Sequence, residues 1–452
     1  MANTGISRLT TQLRDKLIQQ ALERKIKRLE QARTDVAGYA EGRVEVPEAW
    51  YRFDRHPGYQ QLRIIQDGSA RLGVANPFFK VHDGIAGATT RIDGREFINF
   101  ASYNYLGLSG HLSVSQAAKD AIDRYGTSVS ASRLVSGERP VHRQLEESLA
   151  RSYGVADAVV FVSGHATNVT TIGYLFGPKD LILHDALIHN SVLQGIATSG
   201  AKRLSFAHND WVQLDALLTQ QRRQFERVLI VLEGIYSMDG DYPDLPRFIE
   251  IKSKHRAFLM VDEAHSFGVM GVTGKGIREH FGLDGSDVDI WMGTLSKALA
   301  GCGGYIAGET ALVEHLRYLA PGFLYSVGMS PPVAAAALAA LRHLDTHPER
   351  VSRLQANGRL FFELAKNAGI DTGTSTGLAV VPAITGSSLR AARLADALFR
   401  HGVNVQPIIY PAVPEKAARL RFFISCEHGE DQLRRTVALL AKETSRLCRP
   451  AC

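Results

Sequence analysis

The sequence predicts an α/β protein: a large domain on a mainly parallel sheet, followed by a smaller α+β domain at the C-terminal end. Two observations lead there. Between residues 141 and 307, short apolar runs alternate with helix-patterned segments, the sign of repeated strand–helix units. Those runs are nearly continuous rather than alternating, which suits strands covered on both faces. Composition agrees, since 45% hydrophobic and 22% charged residues in a chain of 452 exclude a disordered, fibrous or coiled-coil protein.

The elements follow in order. Residues 6–33 read as an amphipathic helix, with Ile6, Leu9, Leu13, Leu17, Leu22, Ile26 and Leu29 on one stripe and no Pro or Gly between them. This stretch holds Arg8, Arg14, Lys16, Arg24, Lys25, Lys27, Arg28 and Arg33 against Asp15, Glu23 and Glu30, so it carries +5 of the chain's +6. The body is nearly neutral, and nucleic-acid binding is not indicated. The basic helix serves either packing, for instance in a dimer, or docking to an acidic partner protein. Residues 34–75 look irregular, with Pro47, Pro57, Gly58 and Gly68, and read as a connecting segment. Expected strands are 158–163, 181–184, 228–233, 258–262, 290–293 and 305–307, with helices such as 141–152 and 245–254 between them. Helices at 333–344 and 353–367 and strands near 379–384 and 420–425 form the smaller domain. The expected organisation is an N-terminal segment 1–75, a large domain 76–335 and a small domain 336–452.

Open parallel sheets bind ligands beyond the carboxyl ends of their strands. After 158–163 the chain reads Gly164-His165-Ala166-Thr167-Asn168 and opens a helix, whose free N–H groups form an anion site. After 181–184 comes Asp185 to His189. Glu233 leads into Gly234-Ile235-Tyr236-Ser237, Asp262 into Glu263-Ala264-His265, and 290–293 into Thr294-Leu295-Ser296-Lys297. Lys297 is either a solvated surface residue or, buried among small neighbours, an amine that forms an imine with an aldehyde. Thr294 and Ser296 would hold a phosphate beside it. Asp262 is either a helix cap or the partner of a cationic ring nitrogen.

Other chemistries find no support. Gly268–Gly276 fails as a Walker A loop, and Gly301–Gly304 lacks the third spaced glycine of a dinucleotide site. There is no Gly-x-Ser-x-Gly elbow and no zincin motif. Cys302, Cys426, Cys448 and Cys452 show no metal or disulfide spacing, and no metal is expected; a reducing cytoplasm fits. No apolar run is long enough to span a membrane, and no secretory leader is read at the N-terminus.

Six runs in order carry a resemblance: NFASYNYLGL at 99–108, SRLVSG at 132–137, EGIYSMDG at 233–240, VDEAHS at 261–266, GTLSK at 293–297 and RLR at 419–421. Over residues 76–445 the chain resembles the α-oxoamine synthases, pyridoxal-phosphate enzymes that include 8-amino-7-oxononanoate synthase and serine palmitoyltransferase. The resemblance implies an aspartate-aminotransferase-like fold with a seven-stranded sheet. It implies decarboxylative condensation of glycine, alanine or serine with an acyl thioester, on CoA or an acyl carrier protein, giving an α-aminoketone. A plain aminotransferase and a non-catalytic subunit of a heterodimer are the alternatives.

By the same resemblance Lys297 is the Schiff-base lysine, Asp262 the pyridine-nitrogen partner and His189 the ring-stacking histidine, with Ala264 on the opposite face. His265 faces the phenolic oxygen with Ser237 close by, and the N–H groups of Gly164 and His165, with Thr294, hold the phosphate. Ser326 reaches the phosphate of a neighbouring subunit in a homodimer with shared sites. Arg421 grips the substrate carboxylate, helped by Asn104 or Tyr103. The stretch at 136–142 differs from the Gly-Thr-rich version of biotin-pathway members, and that at 125–133 resembles domains found with polyketide synthases.

Overall fold

The structure, a computed structural model, describes residues 46–71 and 76–448. The expected basic helix at 6–33 lies outside the described residues. The chain divides into two compact units, Met1–Asn76 and Pro77–Cys452.

In the first unit, two short turns at Glu48–Trp50 and Phe53–Arg55 precede a helix, α1 (Pro57–Arg71). The expectation of an irregular connector is corrected here. Pro57 is the first helical residue, where its missing N–H costs nothing, and His56 Nδ1 accepts from Gly58 N at 3.1 Å.

The second unit is organised by a seven-stranded sheet. Its strands are β4 (Asp157–Phe161), β5 (Leu181–Asp185), β6 (Lys202–Phe206), β7 (Val228–Glu233), β8 (Phe258–Asp262), β9 (Ile290–Thr294) and β10 (Gly304–Gly308), in the order β4-β10-β9-β8-β7-β5-β6. Only β10 runs against the others. The continuous apolar runs have a direct cause. In β7, Ile230 and Leu232 join one buried cluster while Leu229 and Val231 join a second. Alternate residues point to opposite faces, and helices cover both. Strand β6, Lys-Arg-Leu-Ser-Phe, escapes the pattern because it is an edge strand with mostly exposed side chains.

Two smaller sheets complete the unit. One joins β1 (His82–Asp83), β2 (Thr89–Ile92) and β3 (Arg95–Asn99) to β12 (Val403–Asn404), which pairs with β3 in parallel. The other is antiparallel, β11 (Val380–Ile384), β14 (Arg419–Phe423) and β13 (Gln406–Ile408). No helix among the described residues is long and apolar enough to cross a membrane.

One contact fixes the three-stranded sheet against the loop that follows β7. Arg419 donates from Nη1 to Met238 O at 2.8 Å and to Asp239 Oδ1 at 2.6 Å. Gly240 has φ +76°, and a Cβ there would stand 2.0 Å from Val380 O. Only glycine permits this approach. Gly240→Ala should therefore lower stability by about 3 kcal/mol, combining left-handed strain and overpacking, read from the denaturant midpoint. A loss below about 1 kcal/mol would contradict the tight seam.

Candidate active site

Six of the seven strands point the same way, and five of their carboxyl ends converge on a cavity of ≈ 370 Å³. From β4 the chain turns into helix α2 (Gly164–Leu175), capped by Ser163, whose Oγ accepts from Ala166 N. The first N–H groups of a helix have no intrahelical acceptor, so those of Gly164 and His165 are free for an anion. Thr294 closes the cradle, donating to Gly303 O at 2.9 Å and accepting from Ser296 N at 3.2 Å. A Cβ on Gly164 would stand 2.9 Å from Thr294 Oγ1, so the glycine lets helix and threonine share one anion.

Asp262 ends β8, buried. Its Oδ2 accepts from Asn168 Nδ2 at 2.9 Å and its Oδ1 from Ala264 N at 3.0 Å. Two N–H donors and no acceptor mark it as an anion. Asn168 also donates to Ser191 Oγ at 2.9 Å, which stands 2.7 Å from His189 Nδ1. His189 caps the next helix, α3 (Asn190–Ser199), accepting from Ser191 N at Nδ1. A neutral ring then carries its proton on Nε2. Burial pushes this imidazole below its ordinary pKa, Asp262 acting against it.

His265 Nδ1 lies 2.7 Å from the Tyr105 hydroxyl. Burial pushes the tyrosine up and the histidine well down, so both stay neutral. With Tyr105 donating, His265 presents Nε2–H to the cavity. Lys297 is pushed down to about 8, chiefly by burial, with Asp262 the foremost group opposing. A lysine so placed sheds its proton near neutral pH.

Arg421, at the middle of β14, spends only Nη1 on protein: Ser237 O at 3.0 Å and Met238 Sδ at 3.3 Å. Its guanidinium lies 4.5 Å over the Phe423 ring. Nε and Nη2 have no protein partner among the described residues, a free edge for a carboxylate.

The cavity thus gathers Lys297, His189, Asp262, His265, Gly164, His165, Ser237, Ala264, Thr294, Ser296, Arg421 and Tyr103. Asn104 and Ser326 lie elsewhere. Asn104 is buried outside the cavity wall, donating to Ala86 O at 2.9 Å and accepting from Ser109 N at 3.1 Å. Its amide is engaged with the backbone, so of the pair only Tyr103 meets the cavity. Ser326 is half-buried in a separate crevice, its Oγ 3.3 Å from Val327 O. Sequence reading gave no role to Asn168, Ser191, Tyr105 or Glu233. Asn168 sits one helical turn after Gly164, a spacing that places it on the same face.

The donor set fits pyridoxal phosphate: an anion cradle, a buried carboxylate whose two hydrogen-bond partners are both donors, and a lysine of lowered pKa within one cavity. Comparison with known proteins agrees. Residues 95–440 match the family of class I and II aminotransferases. The chain is 41% identical over 351 residues to an 8-amino-7-oxononanoate synthase of Symbiobacterium thermophilum, covering 78% of this chain and 89% of that one. A Geobacter sulfurreducens protein of the same name is 41% identical over 363 residues, covering 79% and 92%. Among solved structures, a Sphingomonas wittichii serine palmitoyltransferase superposes with TM-score 0.82 at 29% identity over 86% of this chain and 98% of that one. The chain is an α-oxoamine synthase. Its cofactor is pyridoxal phosphate.

Outside the synthase's cavity wall, an ion cluster ties β5 to the loop after β7. His208 bridges Asp185 Oδ1 and Asp241 Oδ2, each at 2.9 Å. Both carboxylates outweigh the burial penalty and raise the imidazole to about 10. A raised histidine stabilises the fold fully below its unfolded value and loses that contribution as pH rises through the folded value. The denaturant midpoint of the wild type should thus fall between about pH 6.5 and 10, relative to His208→Asn. Parallel pH profiles would refute the cluster's charge.

Proposed function

We propose that this synthase condenses a small L-amino acid, glycine, alanine or serine, with an acyl thioester on CoA or an acyl carrier protein. The products are an α-aminoketone, CO₂ and the free thiol. Alanine leads this set. 8-Amino-7-oxononanoate, the product for which the relatives are named, is an α-aminoketone whose amine-bearing carbon also carries a methyl, the pattern alanine would give. The protein works as a cytoplasmic homodimer in this reading, with Ser326 turned towards the partner's site.

The observation that carries the reading is the free edge of Arg421 opening into the cavity that holds Lys297 and Asp262. A carboxylate-bearing amine bound there by two parallel N–H contacts presents its α-carbon at a fixed place. Bound pyridoxal phosphate supplies an electron-accepting ring. Asp262 keeps a negative charge beneath the cavity, where it favours a protonated ring nitrogen. Lys297, neutral in an appreciable fraction near pH 8, takes the α-proton as a general base and later returns one. His189 and His265 both line the cavity, where their Nε2–H groups are available as donors. Phe423 and Tyr103, in edge contact at 5.5 Å, limit water at the substrate end.

Two variants test this. Lys297→Ala should lower amino-acid-dependent CO₂ release by about 10³-fold or more; persistence of that release, or formation of a keto acid in place of CO₂ by the wild type, would overturn the reaction. Arg421→Ala should raise KM for the amino acid by about 100-fold, the loss of a buried charge-assisted contact, while KM for the thioester changes little. A panel of glycine, alanine and serine against acyl-CoA and acyl-carrier substrates identifies the pair.

A further inference from the structure

A second carboxyl stands beside Asp262. Strands β7 and β8 are adjacent and parallel, and Glu233 faces Asp262 in register. Residues paired across a sheet project to the same face, so both acids sit at the cavity floor, Glu233 only 3% exposed and Asp262 5%. Two carboxylates side by side in a dry site are not both ionised. Hydrogen bonding decides which keeps the charge. Asp262 receives an N–H on each oxygen, from Asn168 and Ala264. Glu233 receives one, from Ser237 N to Oε2 at 3.1 Å. Its Oε1 is buried with no partner, although Glu233 lines the cavity. The donors stabilise one anion, and it is Asp262.

We propose that Glu233 is a positioning residue that holds a proton on Oε1, leaving Asp262 as the single negative charge under the cavity and Lys297 free to act as a base. A second carboxylate in this site would bind the Lys297 ammonium and keep it protonated. A neutral acid does not, and its O–H is a donor for an oxygen of whatever occupies the cavity. The charged groups acting on Glu233 are Asp262 on β8, Lys297 after β9, Asp185 on β5 and Arg421 on β14. Burial and Asp262 both push the carboxyl well above the ordinary range; the positive Lys297 acts against them. The inference rests on the proposed reaction only for the task of Lys297.

Infrared spectroscopy of the full chain, with and without cofactor, tests it. The carboxylic-acid C=O stretch should be present at about pH 8.5, above the midpoint of about 7 for buried Glu263. It should survive Glu263→Gln and vanish in Glu233→Gln. No band at that pH, or a band that Glu233→Gln leaves intact, overturns the proposal. A second readout is the pKa of Lys297 in the cofactor-free chain, followed by the pH dependence of its rate of labelling by an amine-reactive probe. Glu233→Gln removes no charge from a neutral acid, so this pKa should not move; a fall of about 1 unit or more, as when an adjacent anion is deleted, also overturns it. Should the glutamine variant not fold, Glu233→Asp keeps an acid and must shift the band in frequency; an unmoved band again refutes the assignment. The spectrum of the cofactor-free chain does not depend on turnover. An intact band without CO₂ release strikes the reaction alone, and CO₂ release without the band strikes Glu233 alone.

Discussion

The buried charge of Asp262 is the constraint on which the site depends. Moving a carboxylate out of water into the end of a covered strand costs several kcal/mol, even after the protein relaxes around it. The structure offsets that cost with donors fixed in place, and Asn168 is the one supplied from a different element. Asn168 reaches Asp262 because α2 begins at Gly164, and α2 can begin there because no Cβ stands between it and Thr294. The first turn of one helix therefore provides N–H groups for a phosphate. Its second turn provides the amide that holds the aspartate. A change that moved α2 would disturb both ends of the cofactor site together.

The substrate end is attached to the same frame through a single loop. Ser237 and Met238 lend backbone carbonyls to Arg421 and Arg419, while Glu233, at the root of that loop, shares the cavity floor with Asp262. Both arginines come from one strand of the three-stranded sheet, two residues apart and on the same face. Arg419 is consumed by the seam and Arg421 is only half consumed. The two-residue period of a strand thus sets a structural cation and a binding one side by side on one face without any extra element.

Much of the fold was legible because burial on both faces leaves continuous apolar runs, and β7 and β8 begin and end where their runs do. What was not legible has physical reasons. Strand β6 is exposed and charged, so hydrophobicity cannot mark it. Pro57 reads as a breaker from composition and is instead a helix start, a distinction set by one backbone N–H. The candidate site was legible residue by residue wherever a polar group follows a strand. Asn104 misled because its motif places it near the cavity, whereas its amide satisfies two backbone groups. Asn168, Ser191, Tyr105 and the pairing of Glu233 with Asp262 depend on register and on helix phase between distant segments. A linear pattern does not carry that information.

The parallel pairing of β12 with β3 joins Asn404 to Asn99, 305 residues apart in the chain. Closing so long a loop adds little to its entropy cost relative to one half as long, but it sets an order of events. At ribosomal speeds of 5–20 residues per second, β3 emerges about 15–60 s before its partner exists. Through that interval β3 can pair with β2, yet one edge stays open, the kind of unpaired strand that favours wrong partners. The seven-stranded sheet waits about half as long at most, for β4 to meet β10, since its strands all arrive between residues 157 and 308. Folding of this enzyme is therefore expected to proceed from the cofactor sheet outward, with the carboxylate-binding strand and the first hairpins fastened last.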